Sequence, residues 1–383
     1  MPSTTTLPSA PAATLRTQDS PAIADTQYDC LVFIGRFQPM HHGHVAVMEE
    51  ALRLARQVIV LVGSAWQARS LRNPFTFSER TRMIRSCFDD ADNARLEIVP
   101  LLDALYNDDV WVRDVQRKVR DIARPQANRM PRIALIGANR RDSNSQSSYY
   151  LSLFPQWESV AVPLREGMEA SRIREVIFTE RARAEDWLDN EGLELLPPPV
   201  AQHLHGFLDE TAWQGLVEER RLLEQYRAAW SDAPYPPLFI TVNAVVVQSG
   251  HVLLTTRRAA PGKGLYALPG GFVQPQERLL DACLRELKER VRLKVPEPVL
   301  RGSLRGQRLF DAPHRSWRGR TLAEAFYFAL RPEQQLPKLR SGGENEEQAR
   351  WVALADLEPD TLFEDHFFII QNFLGLHAGQ SSF

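Results

Sequence analysis

The sequence predicts an α/β chain in two parts, a doubly wound parallel sheet followed by a separate α+β unit. Three observations lead there. From residue 29, short apolar runs ending in glycine alternate with amphipathic helical stretches, the pattern of strands joined by crossover helices. A break, "SDAPYPP" (231–237), then places three prolines where no regular element continues. Beyond it, β-rich runs follow one another with few helices between them. The length of 383 residues also exceeds what one hydrophobic core usually organises.

In the first part, "CLVFIG" (30–35) reads as a buried strand. "HVAVMEEALRLA" (44–55) carries Val45, Met48, Leu52 and Ala55 at spacings of three and four, one face of a helix. "VIVLVG" (58–63) is a second strand, and Thr76 with Glu79 forms a capping-box pattern opening another helix. Then come "RLEIVPL" (95–101), a helix through Val112, Val115, Val119 and Ile122, and the strand "RIALIG" (132–137). Strand signals stop from about 186 to 236, where "AWQGLVEERRLLEQYRAAW" (212–230) is helical. After the prolines, "LFITVNAVVV" and "HVLLTTRR" flank "QSG", a hairpin signal. One helix at 277–292, strands "AEAFYFAL" and "ARWVAL", and a last helix near 364–374 complete the chain. The expected organisation is a disordered tail at 1–28, a first domain at 29–185, a helical linker at 186–236 and a second domain at 237–383.

Composition is that of a globular protein, 44% hydrophobic and 25% charged. A net charge of −2 gives no global basic field for nucleic acid or anionic membrane, so anion binding must come from local clusters. No apolar run approaches the roughly 18 residues of a membrane span. Cys30, Cys87 and Cys283 fit neither a disulfide framework nor a zinc spacing and read as reduced thiols of a cytosolic protein. The Ser-, Thr-, Ala- and Pro-rich start has no apolar core of a secretory signal.

The chemistry concentrates first in "GRFQPMHHGH" (35–44). Phosphate sites combine glycines that let backbone approach, the N–H groups of a helix start, and cationic side chains. Gly35 and Gly43 supply the first, Arg36 a fixed cation, and His41 and His44 stand at the mouth of the helix. The stretch resembles the H-x-G-H motif of the nucleotidylyltransferase superfamily, with His41, Gly43 and His44 in place. "GSAWQARSLRNPFTFSERTRMI" (63–84), "YNDDVWVRDVQ" (106–116) and "SSYYLSLFPQW" (147–157) further resemble nicotinamide mononucleotide adenylyltransferases of the bacterial type fused to a Nudix domain. "EASRIREVIF" (169–178) sits where the superfamily carries I-S-x-T-x-x-R; Ser171 matches the threonine and Arg174 the arginine, while Glu169 stands in place of the first serine. "GANRRDSNSQSSYY" (137–150) departs from the family by Ala138 and a longer loop.

That resemblance implies in-line attack of the mononucleotide 5′-phosphate on the α-phosphorus of ATP, with loss of pyrophosphate. Such transfer needs positioning and charge stabilisation more than an acid or base. His41 and His44 are expected on the ATP phosphates and Ser171 and Arg174 on the leaving end, with Mg²⁺ bridging oxygens and Arg36 nearby. Trp66 and Phe75 are candidates to stack on the nicotinamide ring, core packing being the other reading. Arg69 and Arg80 rank lower, as solvated charges.

In the second part, "GGFVQPQERLLDACLRELKERVRL" (270–293) places Gly271, Glu277 and then Arg285-Glu286-Leu287 at the spacing of the Nudix box. The upstream "PGKGLYALPGGF" and downstream "FDAPHRSWRGRTLAEAFYFAL" resemble ADP-ribose pyrophosphatase-like members. The box gathers carboxylates around Mg²⁺, or Mn²⁺, against a diphosphate; Glu286 and Glu289 share a helix face and are the expected ligands. Its end departs: Arg290 replaces a carboxylate and Arg292 a glycine. Glu344, Glu346 and Glu347, in the Gly-rich stretch "SGGENEEQA", read first as a solvated acidic loop, with one of them a candidate replacement ligand. The expectation is a bifunctional cytosolic enzyme acting on nicotinamide mononucleotide, ATP and ADP-ribose, with no nucleic-acid or membrane partner. A non-catalytic, ligand-sensing Nudix half and a different acceptor, such as phosphopantetheine or a flavin, are the alternatives.

Overall fold

The computed structural model describes residues 26–123, 129–139, 152–163, 167–339 and 348–375. The tail expected at 1–28 therefore lies almost wholly outside the described residues, as do Glu344, Glu346, Glu347 and most of the 137–150 loop.

The first sheet comprises β1 (Tyr28–Gly35), β2 (Ala55–Val62), β3 (Leu96–Pro100), β4 (Ile133–Asn139) and β5 (Glu158–Pro163), all parallel, in the order β3-β2-β1-β4-β5. Order reverses between β1 and β4, and such a switch point opens a crevice at the carboxyl ends of the strands. Helices cover both faces, which explains the apolar runs. Leu31 and Phe33 of β1 face one core, with Val47, Met48 and Ile173. Val32 and Ile34 face the other, with Val115, Val119 and Phe154.

The helices are α1 (His42–Leu54), α2 (Phe77–Arg85), the single turn α3 (Asp90–Asn93), α4 (Asp108–Ile122) and α5 (Ala170–Ile177). The Thr76/Glu79 capping box forms with both reciprocal hydrogen bonds. In α1 the buried face is Val47, Met48, Ala51 and Leu52; Ala55 already opens β2 and Val45 is only half-buried, which corrects the face expected from spacing.

The stretch at 186–236 is helical but its first part is no bare linker. Helices α6 (Arg181–Asp189), α7 (Pro198–Phe207) and α8 (Thr211–Ala228) place Trp187, Leu204, Phe207, Trp213 and Leu216 in the core of the first sheet. Burying such side chains is worth about 1.5–3 kcal/mol each, and the indole N–H of Trp213 donates to the Ile177 carbonyl at 2.7 Å. Periodicity alone shows an apolar helix face, not which core it meets.

The second sheet has β6 (Leu238–Gln248), β7 (His251–Thr256), β10 (Leu304–Phe310), β11 (Arg320–Ala329) and β12 (Gln348–Ala353) in the order β10-β11-β6-β7-β12. Short strands β8 (Tyr266–Ala267) and β9 (Gly270–Phe272) pair with β7 and β6. The β6–β7 hairpin turns at Ser249 and Gly250, both at positive φ (47° and 75°), the conformation a two-residue hairpin loop requires. Helix α9 (Leu279–Glu286) covers one face. Helix α10 (Glu297–Ser303) follows, and α11 (His366–Leu374) covers the other face. The helix expected at 277–292 is shorter: after α9 the chain widens into a π-turn at Leu287–Val291, closed by Arg292 at φ +51°. Leu102 and Tyr106, from the loop after β3, pack into this second core, Tyr106 edge-on to Phe310 at 4.8 Å.

Candidate active site

The loop from β1 into α1 is built around two rings. His41 caps the start of α1, and its imidazole stacks on that of His44 at 3.7 Å between centroids. His44 rests in turn on Phe37, 4.8 Å away. Gly35 and Gly43 keep the loop close to these rings: a Cβ on Gly43 would stand 3.0 Å from the His41 ring, a tight contact, and one on Gly35 would stand 2.8 Å from Phe37. Gln38 pins the loop by exchanging two 2.9 Å hydrogen bonds with the Phe75 backbone, and Arg174 donates to the Gln38 carbonyl at 2.7 Å. The motif residues on α5 thus reach the histidine loop, although 136 residues separate the last pair.

Cations converge beside it. Burial, then the neighbouring charges of Arg36 and Arg72, pulls the Arg174 guanidinium down to about 10. Arg72 falls to about 10 through burial and then Arg36, and burial lowers Arg36 as well. Three guanidiniums that oppose one another's charge form a site that an anion stabilises. Arg36 and Arg72 also line a cavity of about 530 Å³ beyond the carboxyl ends of β1 and β2. Ser64, Asp103, Asp108 and Trp111 line it too. Asp103 is held in place by the Ser64 amide (3.0 Å) and hydroxyl (2.7 Å) and by the Gln67 amide (2.9 Å).

Two expected ring partners do not stand in this cavity. Phe75 is 2% exposed and packs 5.0 Å from Phe207, so it is a core residue. Trp66 is 37% exposed and is not among the lining residues. Arg80, ranked as a solvated charge, is 1% exposed and donates to the carbonyls of Arg36, Gly63 and Ser64, tying the ends of β1 and β2 together. Arg69 pairs with Glu79. Ser171 lies in the first turn of α5, donating to the exposed Glu169 carboxylate at 3.2 Å.

In the second domain Gly271 and Glu286 fit each other, since a Cβ on Gly271 would meet the Glu286 carboxylate at 2.5 Å. Arg285 holds Glu277 through two bonds (2.8 and 2.9 Å) and reaches one Glu286 oxygen at 2.7 Å. Arg290 takes the other Glu286 oxygen at 2.5 Å. Glu289 is 63% exposed, 3.5 Å from Arg285.

A cytidylyltransferase-like family model matches residues 32–176, and a NUDIX domain model matches 237–373. A nicotinamide/nicotinic acid mononucleotide adenylyltransferase of Acinetobacter baylyi is 40% identical over 153 residues, 40% of this chain and 77% of that protein. A nicotinamide-nucleotide adenylyltransferase of Thermococcus onnurineus is 39% identical over 89 residues, 23% of this chain and 47% of that protein. A bifunctional NMN adenylyltransferase/ADP ribose pyrophosphatase from Francisella tularensis, solved with AMP and manganese, superposes with a TM-score of 0.80 at 31% identity. The match covers 91% of this chain and 99% of that one. The chain belongs to this bifunctional family.

Membership in the NMN adenylyltransferase/ADP-ribose pyrophosphatase family makes the second box a place to test for a divalent cation. As arranged, a cation reaching Glu286 would have to displace the half-exposed Arg290 side chain. Both Glu286 oxygens are occupied by guanidiniums, and among the described residues no group of three His, Cys, Asp or Glu is placed to hold a metal. In the first domain the Asp103 carboxylate is likewise engaged, by Ser64 and Gln67. Arg72, Asp103 and Trp111 escaped sequence reasoning. All three lay inside or beside stretches already quoted for the resemblance, and "VWVR" offered Trp111 as a half-buried aromatic on α4.

Proposed function

We propose that the first domain transfers AMP from ATP to nicotinamide mononucleotide, giving NAD and pyrophosphate. The observation that carries this is the stacked His41–His44 pair at the start of α1 beside three mutually opposed arginines and a mononucleotide-sized cavity. His41 and His44 donate to the ATP phosphates, with the N-terminal amides of α1 adding positive potential. Arg174 and Ser171 hold the departing pyrophosphate end. Arg36, shared between the arginine cluster and the cavity, meets the acceptor's phosphate where the new bond forms. Because Phe75 and Trp66 stand elsewhere, Trp111 is the aromatic face for the cationic nicotinamide ring. Catalysis follows from alignment and neutralisation of the growing charge on the oxygens. The reading includes a cytosolic setting, in keeping with three free thiols.

The second domain, on this reading, takes ADP-ribose and yields AMP and ribose 5-phosphate weakly, because Arg290 occupies a carboxylate that metal would need. The same contact favours a second reading, a ligand-binding Nudix module without turnover. Pyrophosphate release by the purified chain with ATP tests the first activity across four acceptors: nicotinamide mononucleotide, its nicotinic acid analogue, phosphopantetheine and flavin mononucleotide. Release with the first two alone supports the proposal; release with only the others replaces it. Hydrolysis of ADP-ribose by the same preparation separates the two readings of the second domain.

A further inference from the structure

The cavity at the head of the parallel sheet is not made by the first domain alone. His314, Trp317 and Phe363 of the second domain form its opposite wall. These residues come from two loops, one between β10 and β11 and one before α11, that are fastened to the first domain on both sides of the opening. On one side Tyr106 donates to Asp365, which also takes both ends of the Arg315 guanidinium. On the other, Glu219 of α8 accepts the Gly262 amide at 2.6 Å, and the Gly262 turn abuts Phe363, which a Cβ there would strike at 2.4 Å. Arg227 of α8 further donates to the Trp317 carbonyl. The wall is therefore a fixed part of the structure.

His314, an exposed residue of this wall, lines the same cavity as Arg36 and Arg72. Its imidazole is lowered by burial and then by the charges of Arg72 and Arg36, both from the first domain. A neutral imidazole there keeps an N–H to donate without adding another cation beside Arg36 and Arg72. His41, His44 and Arg174, assigned above to ATP, do not line this cavity, which leaves it to the acceptor.

We propose that the acceptor mononucleotide binds between the two domains, with His314 of the Nudix domain donating a hydrogen bond to its phosphate and Trp317 closing over it. This rests on the adenylyltransferase reading and makes the second domain a structural half of the first domain's site, whether or not it hydrolyses anything. The test is steady-state NAD formation by the full chain, varying nicotinamide mononucleotide and ATP separately. His314→Ala is expected to raise KM for the mononucleotide about tenfold or more, the scale of one lost hydrogen bond to a charged group. KM for ATP and the thermal midpoint are expected to stay at wild-type values. His314→Gln, which keeps a donor, recovers part of the loss; His314→Glu, which sets a carboxylate against the phosphate, deepens it. Unchanged mononucleotide KM in the Ala and Glu variants overturns the proposal while leaving the transferase reading intact. So does an equal rise in both KM values with a lowered midpoint. Absence of NAD formation by the wild-type chain overturns the reading beneath it, and this proposal with it.

Discussion

The phenol of Tyr106 donates to the carboxylate of Asp365, 259 residues further along the chain, and Arg315 holds that carboxylate at 2.7 and 2.9 Å. The Arg315 and Asp365 side chains are 2% and 1% exposed. The loop bearing Tyr106 also bears Asp103 of the cavity, so one short segment serves the site and the domain contact together. Losing one member of this group has unequal consequences. Tyr106→Phe removes one bond to a charge and is expected to cost about 1.5–3 kcal/mol. Asp365→Ala strands a buried guanidinium and is expected to cost about 3–5 kcal/mol. Urea unfolding monitored by tryptophan fluorescence checks the ranking; equal, small losses contradict it.

His366 predicts a pH dependence. Burial foremost, with Arg315, Arg257 and Arg318 around it, pulls its imidazole down to about 3, against the favourable charge of Asp365, and its Nδ1 accepts the Leu268 amide. Folded protein keeps it neutral, whereas the unfolded chain takes a proton below its ordinary value of 6.5. Between about pH 3 and 6.5 the unfolded state binds more protons, so this contribution grows with pH and is complete above that window. His366→Gln is expected to flatten that part of the stability profile. An unaltered slope counts against the assignment.

The helices at 181–228 predict where the chain can be cut. A fragment spanning 26–231 keeps the whole first core and is expected to be soluble. One ending at 200 cuts through α7 and discards Leu204, Phe207, Trp213 and Leu216, and is expected to aggregate. Expression of the two side by side decides it; comparable solubility means these helices are dispensable to the core.

Much of this was legible in residue order, for reasons that can be named. Strands β1, β2 and β4 are apolar along their length because helices cover both faces. Edge strand β5, largely exposed, carries no such run. The glycine-histidine loop was readable because each glycine lies close against an adjacent ring. Aromatic identity was not enough: Phe75 and Trp66 resembled ring partners, but only folding reveals that one is core and the other lies off the cavity. Arg72, Asp103 and His314 converge from separate segments, the last from the other domain, and no local spacing announces that. At Arg292 the two levels agree. The position where the resemblance to the Nudix box expects glycine is left-handed here, at φ +51°.

The Arg290–Glu286 contact predicts a gain of function. A cation replaces a carboxylate beside the place where metal would gather, and even at an effective dielectric near 20 one charge at about 4 Å is worth on the order of 4 kcal/mol. ADP-ribose hydrolysis is expected to be weak, to require high Mg²⁺ or Mn²⁺, to rise on Arg290→Glu and to vanish on Glu286→Gln. Robust wild-type hydrolysis at low Mg²⁺, indifferent to Arg290→Glu, means another residue completes the site.

The central claim is that the paired histidines at the start of α1 hold the phosphates of the reacting nucleotide. The kcat of NAD formation from nicotinamide mononucleotide and ATP, compared between the wild-type chain and His44→Ala, tests it most directly. Loss of a preorganised donor should lower kcat by about 10²-fold or more with the unfolding midpoint unchanged. A near-normal kcat in that variant contradicts the account.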